Sequence, residues 1–415
     1  MNKIIIFTSR FPFRTVFENF FQIELFNIAK GFDKVYIVAC DVRDNNPEIK
    51  KELPENAVAI HAKRKGFISD FILGALSLPF CPFFIREIKT IVRQKRPFLS
   101  SLKSTVYSGC YYLAIRRCFG QIAREIDISQ DDNVVLMGYW LHYISQAALL
   151  FKKYLKLKNA RVFSRAHGSA DIRNFLIPNK YYPLQANLLS KLDAIFPVSE
   201  MGRDYLRALS GRPEAIESVY IGSVGPSDPI PRCRSPFTIV TCSNIIPLKR
   251  VGLVADAVRL LCRSIPDIRW VHFGDGPLRQ ELESSCADIQ AHIDFCGYTP
   301  HDKVLEYLAS EEPSVFVSAS ASEGLPVSVV EAIAHSIPVI ATDVGATREA
   351  VIAEKSGTLI PADITSAQLA QYIYAYYNMH SDEYAQISKS AFLFWKQNFA
   401  PEVSTENFLS LLKRF

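Results

Sequence analysis

The sequence predicts an α/β protein with two parallel-sheet domains, and three observations carry that expectation. Short apolar, β-branched runs alternate with stretches of 3.6-residue periodicity, the pattern of buried strands joined by covering helices. The pattern stops in a proline-rich segment, "VGPSDPIPRCRSP" (Val224 to Pro236), and then starts again. The chain has 415 residues, too many for one ordinary core when domains cluster near roughly 100–200 residues.

In order, "KIIIFTS", "KVYIVAC", "NVVLMGY", "ARVFSRAHG", "AIFPVS" and "SVYIGS" read as strands of the first half. "FTIVTCS", "IRWVHFGDG", "IDFCGY", "SVFVSAS" and "PVIATD" read as strands of the second. "LVADAVRLLCRSI", "DKVLEYLAS" and "PVSVVEAIAHS" read as helices among the latter. From about Ser366 only helix is expected, and such a tail must pack somewhere, for which the first domain is available. The expected boundaries are residues 1–225, 226–392 and a returning helix at 393–415.

Hydrophobic residues make up 49% and charged residues 21%, a globular balance. The net charge of +5 suits an anionic substrate or an acidic membrane face and is too small to imply nucleic acid. Nine cysteines include no CxxC pair and no zinc-ligand spacing, so they read as small buried hydrophobes in a reducing compartment. The opening "MNKIIIFTSRF" holds only a four-residue apolar run, too short for a signal peptide. The expected location is therefore cytoplasmic.

"GFISDFILGALSLPFCPFF" (Gly66 to Phe84) is strongly apolar, and "REIKTIVRQKR" (Arg86 to Arg96) follows it. A span needs about 20 apolar residues. Asp70 and two prolines near the end argue against one. Two readings stand: an interfacial patch that meets anionic lipid, or a core helix followed by a solvated basic one. A mean hydropathy of +0.08 leans toward the first.

Ligands of open parallel sheets bind at the C-terminal ends of the strands. "SVFVSAS" is a strand, "ASEGLP" a turn and "VSVVEAIAHS" a helix. Pro326 suits the helix start and Gly324 a sharp turn, and the first-turn N–H groups favour anions or hydroxyl oxygens. Glu323 lies on the lip of that turn, and Glu331 follows with seven residues between them. A carboxylate can accept two bonds from a vicinal diol. The set suits a sugar nucleotide; alternatively, Glu323 is an exposed loop acid and Glu331 a solvent-facing helix residue. Lys249 and Arg250, in "CSNIIPLKRVGLVADAV", suit a diphosphate or are surface cations at a helix start. Gly274 and Gly276 in "FGDGP" make half of a dinucleotide fingerprint. No GxGxxG opens the first strand, which counts against a nicotinamide dehydrogenase. His167 and Gly168 end the strand in "RVFSRAHG"; a lone histidine is more often structural, and the strand-end position raises its functional interest.

Taken together, these stretches resemble glycosyltransferase family 4, retaining enzymes of the GT-B fold: two Rossmann-like domains facing each other across a cleft. The resemblance is closest from about Phe237 to Ile360, where "SEGLPVSVVEAIAHSIPVIATDVGATREAV" fits the family's E-x7-E block. "PLKRV", "FGDGPLRQEL" and "IDFCGY" follow the expected order. "SRAHG", "FPVSEMGRDYL" and "SRFP…FENFF" match more loosely in the first half, and "SRFPFRTVFENF" resembles the loop of enzymes that build bacterial surface polysaccharides, with Glu18-Asn19-Phe20 as its triplet.

The resemblance implies an N-terminal acceptor-binding and a C-terminal nucleotide-sugar-binding domain. Glu323, His167 and Lys249 would be catalytic, with His167 reaching the donor sugar from the opposite domain. Glu331 would hold the ribose, and Arg250, Asn244, Gly324, Leu325, Pro326, Gly274 and Tyr298 would complete the donor site. Glu18, Arg165 and Asp171 are the acceptor-side candidates. Asn244 stands where many members have arginine, and the first-loop glycine pair is missing. The implied reaction moves a hexose-type sugar from a UDP- or GDP-sugar, without metal, to an oligosaccharide or undecaprenyl-diphosphate-linked acceptor in O-antigen, capsule or exopolysaccharide synthesis. Peripheral contact with the inner membrane is expected, and no nucleic acid. A sugar-nucleotide epimerase and a non-catalytic membrane-bound partner of another transferase remain as rivals.

Overall fold

A computed structural model describes residues 1–14, 18–44, 47–64, 66–168, 171–172 and 180–415, with the side chains of Asn19 and Phe67 outside the description. It divides into one unit of Met1–Tyr220 with Thr405–Phe415, and a second of Ile221–Ser404.

The first unit runs β1 (Asn2–Thr8), α1 (Asn19–Ala29), β2 (Lys34–Ala39), β3 (Ala57–His61), α2 (Phe67–Ser77), α3 (Pro82–Arg93), α4 (Phe98–Arg117), α5 (Phe119–Glu125), β4 (Asn133–Gly138), α6 (Tyr143–Tyr154), β5 (Arg161–Ala166), α7 (Gln185–Lys191), β6 (Ala194–Pro197) and α8 (Glu200–Leu209). The second runs β7 (Thr238–Cys242), α9 (Val251–Leu261), β8 (Arg269–Phe273), α10 (Arg279–Ser285), β9 (Ile293–Gly297), α11 (His301–Leu308), β10 (Pro313–Ser318), α12 (Val327–Ala334), β11 (Val339–Thr342), α13 (Thr347–Ala350), β12 (Gly357–Ile360), α14 (Ser366–Asn378) and α15 (Ser381–Asn398). A last helix, α16 (Pro401–Arg414), carries the chain back into the first unit.

Each unit holds a six-stranded sheet, ordered β3-β2-β1-β4-β5-β6 and β12-β11-β10-β7-β8-β9, and every pairing within them is parallel. Both are the doubly wound order in which the winding reverses beside the first strand. The reversal falls between β1 and β4 in one unit and between β7 and β10 in the other. The unbroken apolar run of β1 follows from burial on both faces. Ile5 and Phe7 face the core that holds Leu136 and Ile144; Ile4 and Ile6 face one with Phe21, Phe196 and Phe408. Burying each such side chain contributes about 1.5–3 kcal/mol. Phe408 meets the Phe196 ring at 5.3 Å, so α16 closes the second face of the first sheet.

Two sequence expectations change. "AVAIH" and "GTLI" are strands, β3 and β12, at sheet edges. "SVYIGS" is not one, although Glu217 and Val219 donate backbone hydrogen bonds to β6. The segment from Gly66 is two helices, α2 and α3, bent by 74° about a 3₁₀ turn, and among the described residues no single helix is long and apolar enough to cross a membrane.

Candidate functional site

In the second unit, Lys249 follows β7 and Glu323 follows β10, the two strands that flank the sheet's reversal. Lys249 Nζ lies 2.5 Å from Glu323 Oε1. Three contacts hold this geometry. Arg250 adopts φ 48°, and its guanidinium donates to the carbonyls of Ala319 (2.6 Å), Ala362 (2.7 Å) and Ser320 (3.3 Å). Ala321 donates its N–H to the Leu248 carbonyl at 2.8 Å. Gly345, at φ 58°, packs so tightly that an added Cβ would run into the Glu323 carbonyl oxygen, while Ala346 donates to the Gly324 carbonyl.

Arg250 is thus a loop anchor whose N–H groups go to backbone oxygens, a correction to its reading as a diphosphate ligand. Gly274 also acts through packing. It sits at φ 139°, where a Cβ would strike the Ser243 carbonyl, and Ile245 donates to the Asp275 carbonyl at 2.9 Å. The "GDG" stretch therefore supports the loop that carries the exposed Asn244.

Pro326 is the N-cap of α12, which has no side-chain cap, so its first turn presents main-chain donors. Gly324 is half-buried and Leu325 buried at this turn. Ser243, Lys249, Ser320, Glu323 and Ser328 line a recess below it. Glu331, one turn into α12, is only 6% exposed. Its Oε1 lies 2.7 Å from His301 Nε2, at the start of α11. His301 is a site residue that sequence reading missed, since nothing in "GYTPHDK" marks its partner. The Cys242 thiol is pushed up to about 12 by burial, with Glu331 acting in the same direction and Lys249 against it. Tyr298 is 59% exposed just past β9.

The first unit treats its candidates differently. Glu18 is buried at φ 57°, and its carboxylate accepts from the N–H groups of Ser9, Arg10 and Phe11 (each 2.9 Å) and from Trp140 Nε1 (2.6 Å). It pins the loop after β1 to the loop after β4, so its oxygens are already occupied. Arg165 is wholly buried, with Nε 3.0 Å from Glu24 Oε1 and Nη1 donating to the Phe196 carbonyl. It is a core residue, which corrects its acceptor-side reading. Asp171 accepts from the N–H groups of Leu141, His167 and Gly168, and burial lifts its carboxyl to about 6. His167 Nε2 lies 2.8 Å from the Tyr139 carbonyl, which can only accept, so Nε2 carries the proton. Nδ1 is then a buried acceptor with no hydrogen-bond partner among the described residues. Burial holds the ring neutral, its pKa depressed to about 3. Phe20, Tyr139 and Trp140 surround it.

Residues 231–393 match the family model described as glycosyl transferases group 1. The chain is 27% identical over 259 residues to an Escherichia coli protein that carries the name of a colanic acid biosynthesis glycosyltransferase, covering 60% of this chain and 63% of that one. It is 27% identical to the GtfA subunit of the UDP-N-acetylglucosamine–peptide N-acetylglucosaminyltransferase of Streptococcus agalactiae, over 57% of this chain and 48% of that one. The chain thus spans about half to just under two thirds of these curated relatives. Two solved structures share its fold end to end. Anabaena HepE, solved with UDP, has a TM-score of 0.66 at 13% identity, covering 100% of both chains. A variant of S. aureus TarM, also solved with UDP, has a TM-score of 0.69 at 14% identity over 99% of both. The fold is GT-B.

Proposed function

We propose that this chain is a retaining glycosyltransferase of bacterial cell-surface polysaccharide synthesis. It moves a hexose-type sugar from a UDP- or GDP-sugar to a lipid-linked oligosaccharide, without a metal ion, while peripheral on the inner face of the membrane. One observation carries the reading: Lys249 and Glu323 meet at the sheet's reversal, with buried Glu331 one helical turn beyond, inside the segment that matches glycosyl transferases group 1.

Lys249 and the uncapped first turn of α12 supply fixed positive potential for a departing diphosphate, the class of stabilisation that contributes most in such sites. Glu331 offers its carboxylate to the ribose diol, with His301 holding one oxygen in place. Before substrate binds, Lys249 and Glu323 neutralise each other. A diphosphate competes for Lys249 and leaves Glu323 free to orient the hydroxyls of the donor sugar. With retention, the acceptor hydroxyl attacks the face that the phosphate leaves, and a phosphate oxygen takes its proton. UDP in the HepE and TarM structures supports a nucleotide-sugar donor, and the name of the Escherichia coli relative supports the polysaccharide setting.

The test is a thermal-shift panel of UDP-, GDP- and ADP-sugars, followed by nucleotide release from the best one with and without EDTA. Stabilisation by one nucleotide class and EDTA-insensitive release are expected. No stabilisation by any of them, or release abolished by chelation, defeats the proposal.

A further inference from the structure

Beside the C-terminal end of β4, helices α2 and α4 and residues 180–183 enclose a cavity of about 760 Å³. Phe71, Leu102, Val106, Leu141 and Tyr143 form its apolar wall. Lys103 and Lys180 also line it, and among the described residues no carboxylate does. Leu99 and Phe71, at its edge, are 81% and 38% exposed. From there an apolar surface continues over Ile68, Ile72, Leu76 and Phe80, all exposed. At its inner end are Leu141 and His142, which follow the strand at the sheet's reversal, and the N–H of Leu141 is held by Asp171. The cavity is therefore a groove that joins an exposed apolar face to the carboxyl end of the first sheet, where ligands of such folds sit.

The mouth is held in place by charge. Asp70 of α2 accepts from Arg64 at 3.0 Å and from Arg117 at 2.9 Å, and Arg64 reaches Asp41, past the end of β2, at 2.9 Å. Arg64 and Asp70 are both nearly free of solvent. A buried pair of this kind fixes where a helix lies, so α2 is set against the sheet with its apolar residues outward. A groove for a plain hydrocarbon needs no cations, and one for a sugar phosphate needs no apolar wall. The combination fits an amphiphile with a long chain and an anionic head.

We propose that this groove takes the hydrocarbon chain of a polyprenyl diphosphate that carries the acceptor sugar, with Lys103 and Lys180 on its phosphates. The inference rests on the glycosyltransferase reading and assigns the place that holds the acceptor's lipid.

Calorimetric titration of the full chain with farnesyl diphosphate, farnesol and inorganic pyrophosphate tests it, with UDP titrated in parallel. Farnesyl diphosphate should bind about tenfold tighter, or more, than either fragment, because chain and head act together. Val106→Trp, which fills the groove, and Leu99→Glu, at its exposed edge, should each weaken farnesyl diphosphate by about tenfold or more. The double variant Lys103→Glu/Lys180→Glu should weaken farnesyl diphosphate and leave farnesol unchanged. UDP affinity should be unchanged in all of them. Farnesyl diphosphate binding that both Val106→Trp and Leu99→Glu leave at the wild-type level, with UDP still bound, overturns the groove alone. So does wild-type protein that floats with anionic vesicles yet binds farnesyl diphosphate no tighter than pyrophosphate, since its apolar face then serves only a bilayer. Failure of the wild type to bind any nucleotide removes the glycosyltransferase reading instead.

Discussion

Lys249 Nζ and Glu323 Oε1 stand 2.5 Å apart across the reversal of the second sheet, although 74 residues separate them in sequence. Each is held by its own loop, so replacing one strands the other charge at the site. Glu323→Gln should lower turnover of the nucleotide sugar by about 100-fold and change nucleoside-diphosphate affinity by less than about threefold, because its work begins once the diphosphate has taken Lys249. Lys249→Ala should weaken the nucleoside diphosphate itself by about tenfold or more. Steady-state kinetics and titration separate the two. Equal losses of affinity in both variants would contradict the division of labour.

Buried Glu331 and half-buried His301 form a second pair at 2.7 Å. If the other carboxylate oxygen holds the ribose diol, wild-type protein should prefer UDP to 2′-deoxy-UDP by about tenfold. Glu331→Ala should abolish that preference, and His301→Ala should shrink it, since the carboxylate loses its orienting partner. A preference that survives Glu331→Ala places the ribose elsewhere.

Gly345 is a site residue that touches no ligand in this scheme. Its φ of 58° and its contact with the Glu323 carbonyl leave no room for a side chain. Gly345→Ala should displace Glu323 and cut kcat by about tenfold or more with nucleotide affinity little changed, since small misplacements are costly at a reacting centre. A variant with full kcat would mean that the loop is free to yield.

The strands buried on both faces were legible because composition alone marks them; β1 and β2 carry the uninterrupted apolar runs "IIIF" and "VYIVA". The two strands missed, β3 and β12, lie at sheet edges, where half-buried side chains blur the pattern. The turn and the paired glutamates were legible as a motif, but the burial of Glu331 was not, since it depends on a partner 30 residues away on another helix. Arg165 shows the opposite error. A charge at a strand end reads as functional, and only the fold reveals that Glu24 of α1 meets it inside the core. Arg250 and Gly274 were found at the right turns with the wrong partners, because sequence cannot tell a ligand oxygen from a carbonyl.

The Arg165–Glu24 pair is testable through stability. Arg165→Met leaves the buried Glu24 carboxylate with only the Tyr139 hydroxyl, at 2.5 Å, among the described residues. The loss should be about 3–5 kcal/mol, a melting temperature lower by about 10 °C for a unit of this size. Arg165→Met with Glu24→Leu should recover most of it, because neither charge is then buried alone. If the single variant melts like wild type, the pair is not sealed from water.

Acid should weaken both units for the same reason. Burial depresses His142 and His167 of the first unit to about 3, and His272 of the second to about 4, from an ordinary value of 6.5. The unfolded chain takes up protons below about pH 6.5, while the folded one refuses them until pH 3–4. Their contribution is therefore whole above pH 6.5 and is lost as the pH falls toward those values. Asp171 opposes this in the first unit only. Its carboxyl is raised from 3.8 to about 6, so its contribution is whole below pH 3.8 and is lost as the pH rises through 6. Two histidines outweigh it there, and in the second unit burial also lowers His335, so that among the described residues no raised carboxyl opposes His272. It is fully buried, its Nδ1 is 2.7 Å from Thr241 Oγ1, and its Nε2 has no hydrogen-bond partner among the described residues. Scanning calorimetry of the full chain should show melting lower by on the order of 5 °C at pH 5 than at pH 7. His272→Gln should flatten the slope of the second unit's transition and leave the first unit's unchanged. A melting temperature that rises on acidification would mean that these rings are protonated in the folded protein.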